Sequence, residues 1–369
     1  MVTYSIYRRT RSARLTVTTP EGTTINVDNL VGDSGFSLEF EARRTMDDTL
    51  GEFSVTAYNL PAEARAIMES AQVRRVDDID QLLSGLNLQT SAVDSSGAQA
   101  LEAGFLVVEL SAGYDGTMSR VFRAIGTRCK SGYGGGDQGR DSRGRYTEKV
   151  EGLTYRTTID AMDAMDGVLL GVPLRSFPAQ STIYELVDYL RQLAGLELGN
   201  LSYPLLTALI GDAKLSSPYH VAGGQALAHL RNVLQWLPLR WFVDDRALWI
   251  CGRDDVPNFN NVPAYVAGDV AEPDLLLSRP QRDDGGRVRI ECLLCPRILP
   301  GHLVNLTPGG LALALQGLSP TDQQIAYAQV PPGFYRCEEV SHTGSTSDMD
   351  RWTTTALLRP GVAQDIVVL

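Results

Sequence analysis

Gly134, Gly136 and Gly139 stand at the G-x-G-x-x-G spacing that cradles a pyrophosphate when the glycines close a turn between a strand and a helix. The residues that follow, Arg140-Asp141-Ser142-Arg143-Gly144-Arg145, have no apolar helical period, so the spacing reads as a loop and not as a nucleotide site. Cys292 and Cys295 make one C-x-x-C, half of what a zinc site needs. Residues three apart on a strand face opposite sides, which predicts one buried thiol and one beside the turn at Pro296. His220, His229, His302 and His342 form no metalloprotease or deaminase pattern. Asp160, Asp163 and Asp166 recur every third residue, whereas a calcium loop places oxygen ligands two apart; they read as a solvated acidic edge. The pairs Asp47-Asp48, Asp77-Asp78, Asp244-Asp245 and Asp283-Asp284 offer the carboxylates of a glycosidase, yet they sit in turn contexts that favour Asp for its own hydrogen bonding. No Ser-His-Asp arrangement, nucleophile elbow or phosphate-binding loop is present. The expectation is no catalytic, cofactor-binding or metal residue, no cofactor, and a protein that is not an enzyme.

The elements that would carry any site are short strands. Residues 13–19 and 23–27 flank Pro20-Glu21-Gly22, a hairpin connection. Residues 36–41 and 51–60 alternate apolar and polar, and Pro61 ends the second run before a short helix over 61–68. The stretch 71–100 is polar and without a clear period. Two strands, 105–114 and 117–125, meet across Asp115-Gly116, the strongest hairpin signal in the chain. Residues 131–145, rich in glycine and carrying Arg140, Arg143 and Arg145, read as an exposed basic loop, followed by a strand over 147–159. An amphipathic helix spans 181–195 with Ile183, Leu186, Val187, Leu190 and Leu193 on one face; a second covers 224–236, followed by aromatic strands at 240–243 and 247–250. From Gly286 onward the chain returns to short strands, interrupted at 309–332 by an insert of unassigned role.

At 369 residues, 43% hydrophobic and 21% charged, the chain suits several packed modules and excludes disorder and coiled coil. Its 44 acidic and 33 basic side chains leave a formal charge of −11, the wrong sign for a protein that grips nucleic-acid phosphates. Five cysteines without regular spacing argue for reduced thiols. No segment reads as a signal peptide or as the roughly 18–20 apolar residues of a membrane span.

Four blocks together resemble the baseplate hub proteins of contractile-tailed bacteriophages. These are Phe53-Ser54-Val55-Thr56-Ala57-Tyr58-Asn59-Leu60-Pro61, then Val108-Glu109-Leu110-Ser111-Ala112-Gly113-Tyr114-Asp115-Gly116, then 286–306 around Cys292-Leu293-Leu294-Cys295-Pro296-Arg297, and finally 333–344 followed by Trp352-Thr353-Thr354. The resemblance implies a β-rich α+β fold with two tail-tube-like antiparallel β-barrel domains, 1–172 and 263–369, around an α/β module, 173–262. It also implies a homotrimeric tail hub that joins a hexameric tail tube to a trimeric central spike and forms part of the DNA channel. The implied partners are the tail tube protein, the central spike protein, the tape-measure protein and baseplate wedge proteins, with DNA only in transit and no membrane. The implied location is the virion tail, assembled in the host cytoplasm. Loop 131–145 and insert 309–332 lie outside the shared blocks and are candidate contacts to other subunits. The acidic excess is expected on the channel wall, where carboxylates repel passing phosphates. Two alternatives stay open: a tail-associated cell-wall-degrading or carbohydrate-binding protein using Trp241 or Trp249, and the hub of a bacterial contractile injection system.

Overall fold

The computed structural model describes residues 10–19, 21–28, 37–46, 51–70, 106–134, 154–163, 175–198, 213–221, 226–237, 239–244, 247–252, 264–267, 276–283, 285–301, 303–306, 311, 315, 317–347 and 351–360. The first part of the chain forms β1 (Arg11–Thr18), β2 (Thr24–Asp28), β3 (Ser37–Thr45), β4 (Glu52–Tyr58), α1 (Ala62–Ser70), β5 (Val107–Tyr114), β6 (Thr117–Gly134) and β7 (Thr154–Met162). The middle forms β8 (Arg175–Phe177), α2 (Ile183–Leu193), β9 (Glu197–Leu198), β10 (Tyr219–Val221), α3 (Ala226–Gln235), β11 (Leu239–Asp244) and β12 (Ala247–Gly252). The last part forms β13 (Ala264–Ala267), β14 (Gln281–Arg282), β15 (Val288–Leu293), β16 (Leu303–Leu306), α4 (Pro320–Gln329), β17 (Gly333–Ser345) and β18 (Trp352–Pro360).

Alternation builds the sheet. Ala13, Leu15 and Val17 of β1, Leu38, Phe40 and Ala42 of β3, and Phe53, Val55 and Ala57 of β4 all turn inward and are buried, while the residues between them face outward. Asp115 and Gly116 both take positive φ, 52° and 79°, which is the turn that matches the twist of the β5–β6 hairpin. The first seven strands run in the order β2-β1-β5-β6-β7-β4-β3, and β17-β18-β15-β14 continue from them, with β16 on β17 and β13 on β16.

The two ends of the chain are therefore one 13-stranded sheet. The join is β3 against β17, antiparallel from Thr45↔Glu339 to Glu39↔Ser345. β17 hands its edge from one neighbour to the other: Gly333 to Arg336 pair with β16, and the residues after Glu338 pair with β3. The β-rich character and the helices between are as the sequence predicts, with four helices among the described residues. No barrel closes among those residues.

Two elements differ from expectation. Residues 131–134, read as the start of a loop, continue β6 and pair with β7 as far as Gly134↔Thr154, because β7 supplies a neighbouring edge that composition does not reveal; the rest of 131–145 lies outside the described residues. Within 309–332, residues Pro320–Gln329 are helical. The Ser319 hydroxyl accepts from the Asp322 N–H and Pro320 opens the first turn, a start signal that the weak apolar period of the helix obscured.

Three large groups of buried side chains, and a small fourth at Met46 and Phe242, hold the described residues together. The first end packs around Leu15, Leu38, Val55, Leu110 and Ile159, and it includes Leu294 and Trp352 from the last end. The middle packs Leu186, Val187 and Leu190 of α2 against Leu230, Val233 and Leu234 of α3, over Trp241, Leu248 and Ile250. The last end packs around Ile290, Cys292, Val304, Cys337 and Leu358. Trp352 crosses the seam: its ring lies 5.6 Å from Phe40 and 6.5 Å from Tyr114, both edge-on. Gly344 pairs with Phe40, and a methyl there would overlap the Phe40 ring. Gly344→Ala is expected to cost about 1–3 kcal/mol of stability by overpacking, read as a lowered urea midpoint.

Candidate assembly site

The point where all three parts meet is Glu338. The β17–β18 register steps from Cys337↔Leu358 to Glu339↔Leu357, so Glu338 is an extra residue in a bulge. The bulge breaks the alternation of β17: Tyr335, Arg336, Cys337 and Glu338 are all buried in succession. It aims the Glu338 carboxylate at the middle module, where Arg240 Nη1 of β11 lies 2.7 Å from Oε1. Arg359 Nε of β18 approaches the same oxygen at 2.7 Å, and Arg336 Nη2 is 3.9 Å away. The Glu338 carbonyl accepts from Met46 N–H at 2.8 Å, the residue after β3. Beside it Met46 packs on Phe242, with Trp249 stacked on that ring at 5.9 Å. One residue thus ties the first end, the middle module and the last end together.

Two further polar groups are buried near the seam. Arg44, on the inward face of β3, sits 3.6 Å from Asp163, with side chains 3% and 1% exposed. Its Nη1 donates to the Val121 carbonyl at 2.8 Å, and its guanidinium lies 4.8 Å from the centre of the Phe53 ring. Asp163 is therefore a buried ion-pair partner, not part of a solvated edge. Its backbone pairs with Gly51, where a side chain would meet the carboxylate at 2.6 Å. Asp160 does face outward and accepts from Ser54; Asp166 lies outside the described residues. His342 is fully buried, with Nδ1 2.9 Å from the Thr354 hydroxyl, which also accepts from Cys295 N–H. Burial, and then the Arg44 charge, push its pKa down to about 3.

The other sequence candidates stay apart. Cys292 and Cys295 are both buried; desolvation first, then the neighbouring Cys295, raises the Cys292 thiol far above its ordinary value. Gly134 ends β6, while Gly136, Gly139 and His302 lie outside the described residues. Asp283 pairs with Arg287 at 2.7 Å in a turn, as its context suggests. Asp47-Asp48, Asp77-Asp78, Asp245 and Asp284 lie outside the described residues. Trp241, offered as an exposed aromatic, is 2% exposed because β11 turns it into the helical core; Trp249 is half-buried on Phe242. The exposed tryptophan is Trp236, edge-on to Tyr219 at 5.4 Å. Sequence reasoning also missed a hydrogen bond of 2.8 Å between Ser176 Oγ and His220 Nδ1, a cross-strand pair on the exposed β8–β10 ribbon. No group of three His, Cys, Asp or Glu suited to a metal occurs among the described residues, and no described helix is long and apolar enough to cross a membrane.

The outward face of the sheet is polar on both sides of the seam. Hydroxyl and carboxylate pairs link its strands: Thr56 with Thr158 at 2.9 Å, Tyr58 with Glu39 at 3.0 Å, Arg43 with Glu339 at 2.9 Å and Thr343 with Thr353 at 3.1 Å. Burial, followed by the bond to Glu39, raises the Tyr58 phenol to about 12. Exposed Glu41 and Glu52 make the strip at β3 and β4 acidic, whereas exposed Arg128, Lys130 and Arg156 make the β6–β7 end basic.

No family model matches the chain, and no curated protein matches it. Among solved structures the chain is similar to the 43 kDa tail protein of prophage MuSo2 from Shewanella oneidensis, with a TM-score of 0.48 at 8% identity over 94% of this chain and 97% of that one. It is similar to a tail protein from Neisseria meningitidis MC58, with a TM-score of 0.46 at 8% identity over 94% and 96% of the two chains. It is also similar to the E. coli c3393 protein, a component of the type VI secretion system, with a TM-score of 0.46 at 9% identity over 89% and 74% of the two chains.

Proposed function

We propose that the protein is a non-enzymatic tail hub, a trimer in which two tube-like units per subunit, 1–172 and 263–369, present six similar units to a hexameric tube and three subunits to a trimeric spike. The observation that carries this reading is the β3–β17 join, which sets the two β-rich ends edge to edge in one sheet although the α/β module separates them in the chain. The four sequence blocks lie on that frame: the first on β4, the second on β5 and its turn, the third on β15 and β16, and the fourth on β17 and β18. In a ring, each unit would close against a neighbour's sheet, and the −11 excess would face the channel so that phosphates pass without being held. Tape-measure and wedge proteins are its other proposed neighbours, and the virion tail its proposed location.

The mass of the purified chain in solution, alone and with the spike protein, tests this. The expected result is a trimer, formed alone or on adding the spike. A chain that remains a monomer with the spike present overturns it.

A further inference from the structure

The basic end of the polar face is a shaped cleft as well as a patch. Arg128 and Lys130 project from β6, and Arg156 from β7, around a cleft of about 330 Å³ whose walls include Ser131, Thr158 and Asp160. The register sets them: Arg128 stands opposite Asp160, Lys130 opposite Thr158, and Gly132 opposite Arg156. Gly132 leaves the floor open, since a methyl added there would meet nothing within 4 Å. Asp160 Oδ1 accepts from Ser54 and the Thr158 hydroxyl bonds to Thr56, both on β4, so three cations face one carboxylate in this cleft. Among the described residues none of the three cations makes an ion pair, although they are exposed on a chain with a large acidic excess.

We propose that this cleft binds an extended acidic segment of a partner protein, with carboxylates on alternate residues. Arg128 and Lys130 are two residues apart on one face of a strand, a separation of about 6.8 Å, and side chains on the same face of any extended peptide repeat at that distance. A segment lying along β6 therefore sets successive carboxylates against Arg128 and Lys130, with Arg156 flanking them from the next strand. Guanidinium groups favour planar carboxylates, and the rigid ladder beneath holds the cations in place before binding. Nucleic acid suits the cleft less well. A net charge of −11 repels a polyanion as a whole, whereas a short peptide carries its charge only where the cations are. This inference does not depend on the hub reading.

The test uses the full chain and a short synthetic peptide alternating Glu and Thr, followed by fluorescence anisotropy at low salt. The peptide is expected to bind, its Gln-for-Glu counterpart to fail, and the triple variant Arg128→Gln, Lys130→Gln, Arg156→Gln to bind about tenfold more weakly or worse. Thr158→Glu, which adds a carboxylate to the wall, is expected to weaken binding while the urea midpoint shows that the sheet is intact. Equal binding by the triple variant and the wild type overturns the proposal. So does tighter binding of duplex DNA than of the peptide. Self-association of the wild type that the triple variant abolishes also overturns it, by making a second copy of the chain the occupant.

Discussion

Replacing Glu338 by alanine is expected to lower the stability of the chain by about 3–5 kcal/mol, the range for breaking a buried ion pair by removing one partner. Its side chain is 7% exposed and its Oε1 lies 2.7 Å from both Arg240 and Arg359. Removing the carboxylate takes this anion away from the Arg240 and Arg336 guanidinium groups, 18% and 6% exposed, whose lost hydration dominates the cost, while Arg359, 42% exposed, stays hydrated. Glu338→Gln keeps the shape and one acceptor but loses the charge, so an intermediate loss is expected. Arg240→Ala removes the tie between Glu338 and the middle module, and in a double-mutant cycle with Glu338→Ala the two changes are expected to be clearly less than additive. Urea unfolding of the five proteins, wild type, the three single variants and the double variant, measures all of this. Additive losses would show that the carboxylate does not couple the middle module to the sheet.

Acid is expected to destabilise the protein through His342. In the folded chain burial and the Arg44 charge hold this ring neutral, with a pKa of about 3, while in the unfolded chain it titrates near 6.5. Between those values the unfolded chain takes up a proton that the folded chain refuses, so stability falls as pH falls through that window and this contribution changes no further below it. The slope approaches about 1.4 kcal/mol per pH unit, and the loss between about pH 7 and about pH 4.5 is about 2–3 kcal/mol. His342→Gln keeps a polar partner for the Thr354 hydroxyl and has nothing to titrate, so it is expected to flatten the stability profile across this range. A variant as acid-sensitive as the wild type would assign the sensitivity to other groups.

Local chemistry made much of the fold legible. Asp115-Gly116 announced its hairpin because a turn with two positive φ values demands such residues, and the strands on either side pair as that turn requires. The apolar stripe from Ile183 to Leu190 announced α2 for the same kind of reason, the helix period being written in consecutive residues. Insert 309–332 shows the limit of that logic. Its helix was signalled only by Ser319-Pro320 and Asp322, since Ile325 points to solvent and no stripe marks a buried face.

The candidate site was far less legible, since each of its contacts joins residues distant in the chain. Glu338 follows Cys337 in a run that alternation would have turned outward, and only the bulge against β18 buries it beside Arg240. Asp163 looked like one of three evenly spaced surface acids until β3 brought Arg44 to it. Arg128, Lys130 and Arg156 became one cleft only through the β6–β7 register. By itself the sequence determined the main hairpins and the two amphipathic helices, the acidic excess, and the resemblance carried by the four blocks, because those depend on neighbours in the chain. The tertiary structure alone decided that β3 meets β17, that a single carboxylate ties three parts together, and which charges are buried and which are left to solvent, because backbone edges carry no side-chain code and find their partners only when the whole sheet assembles.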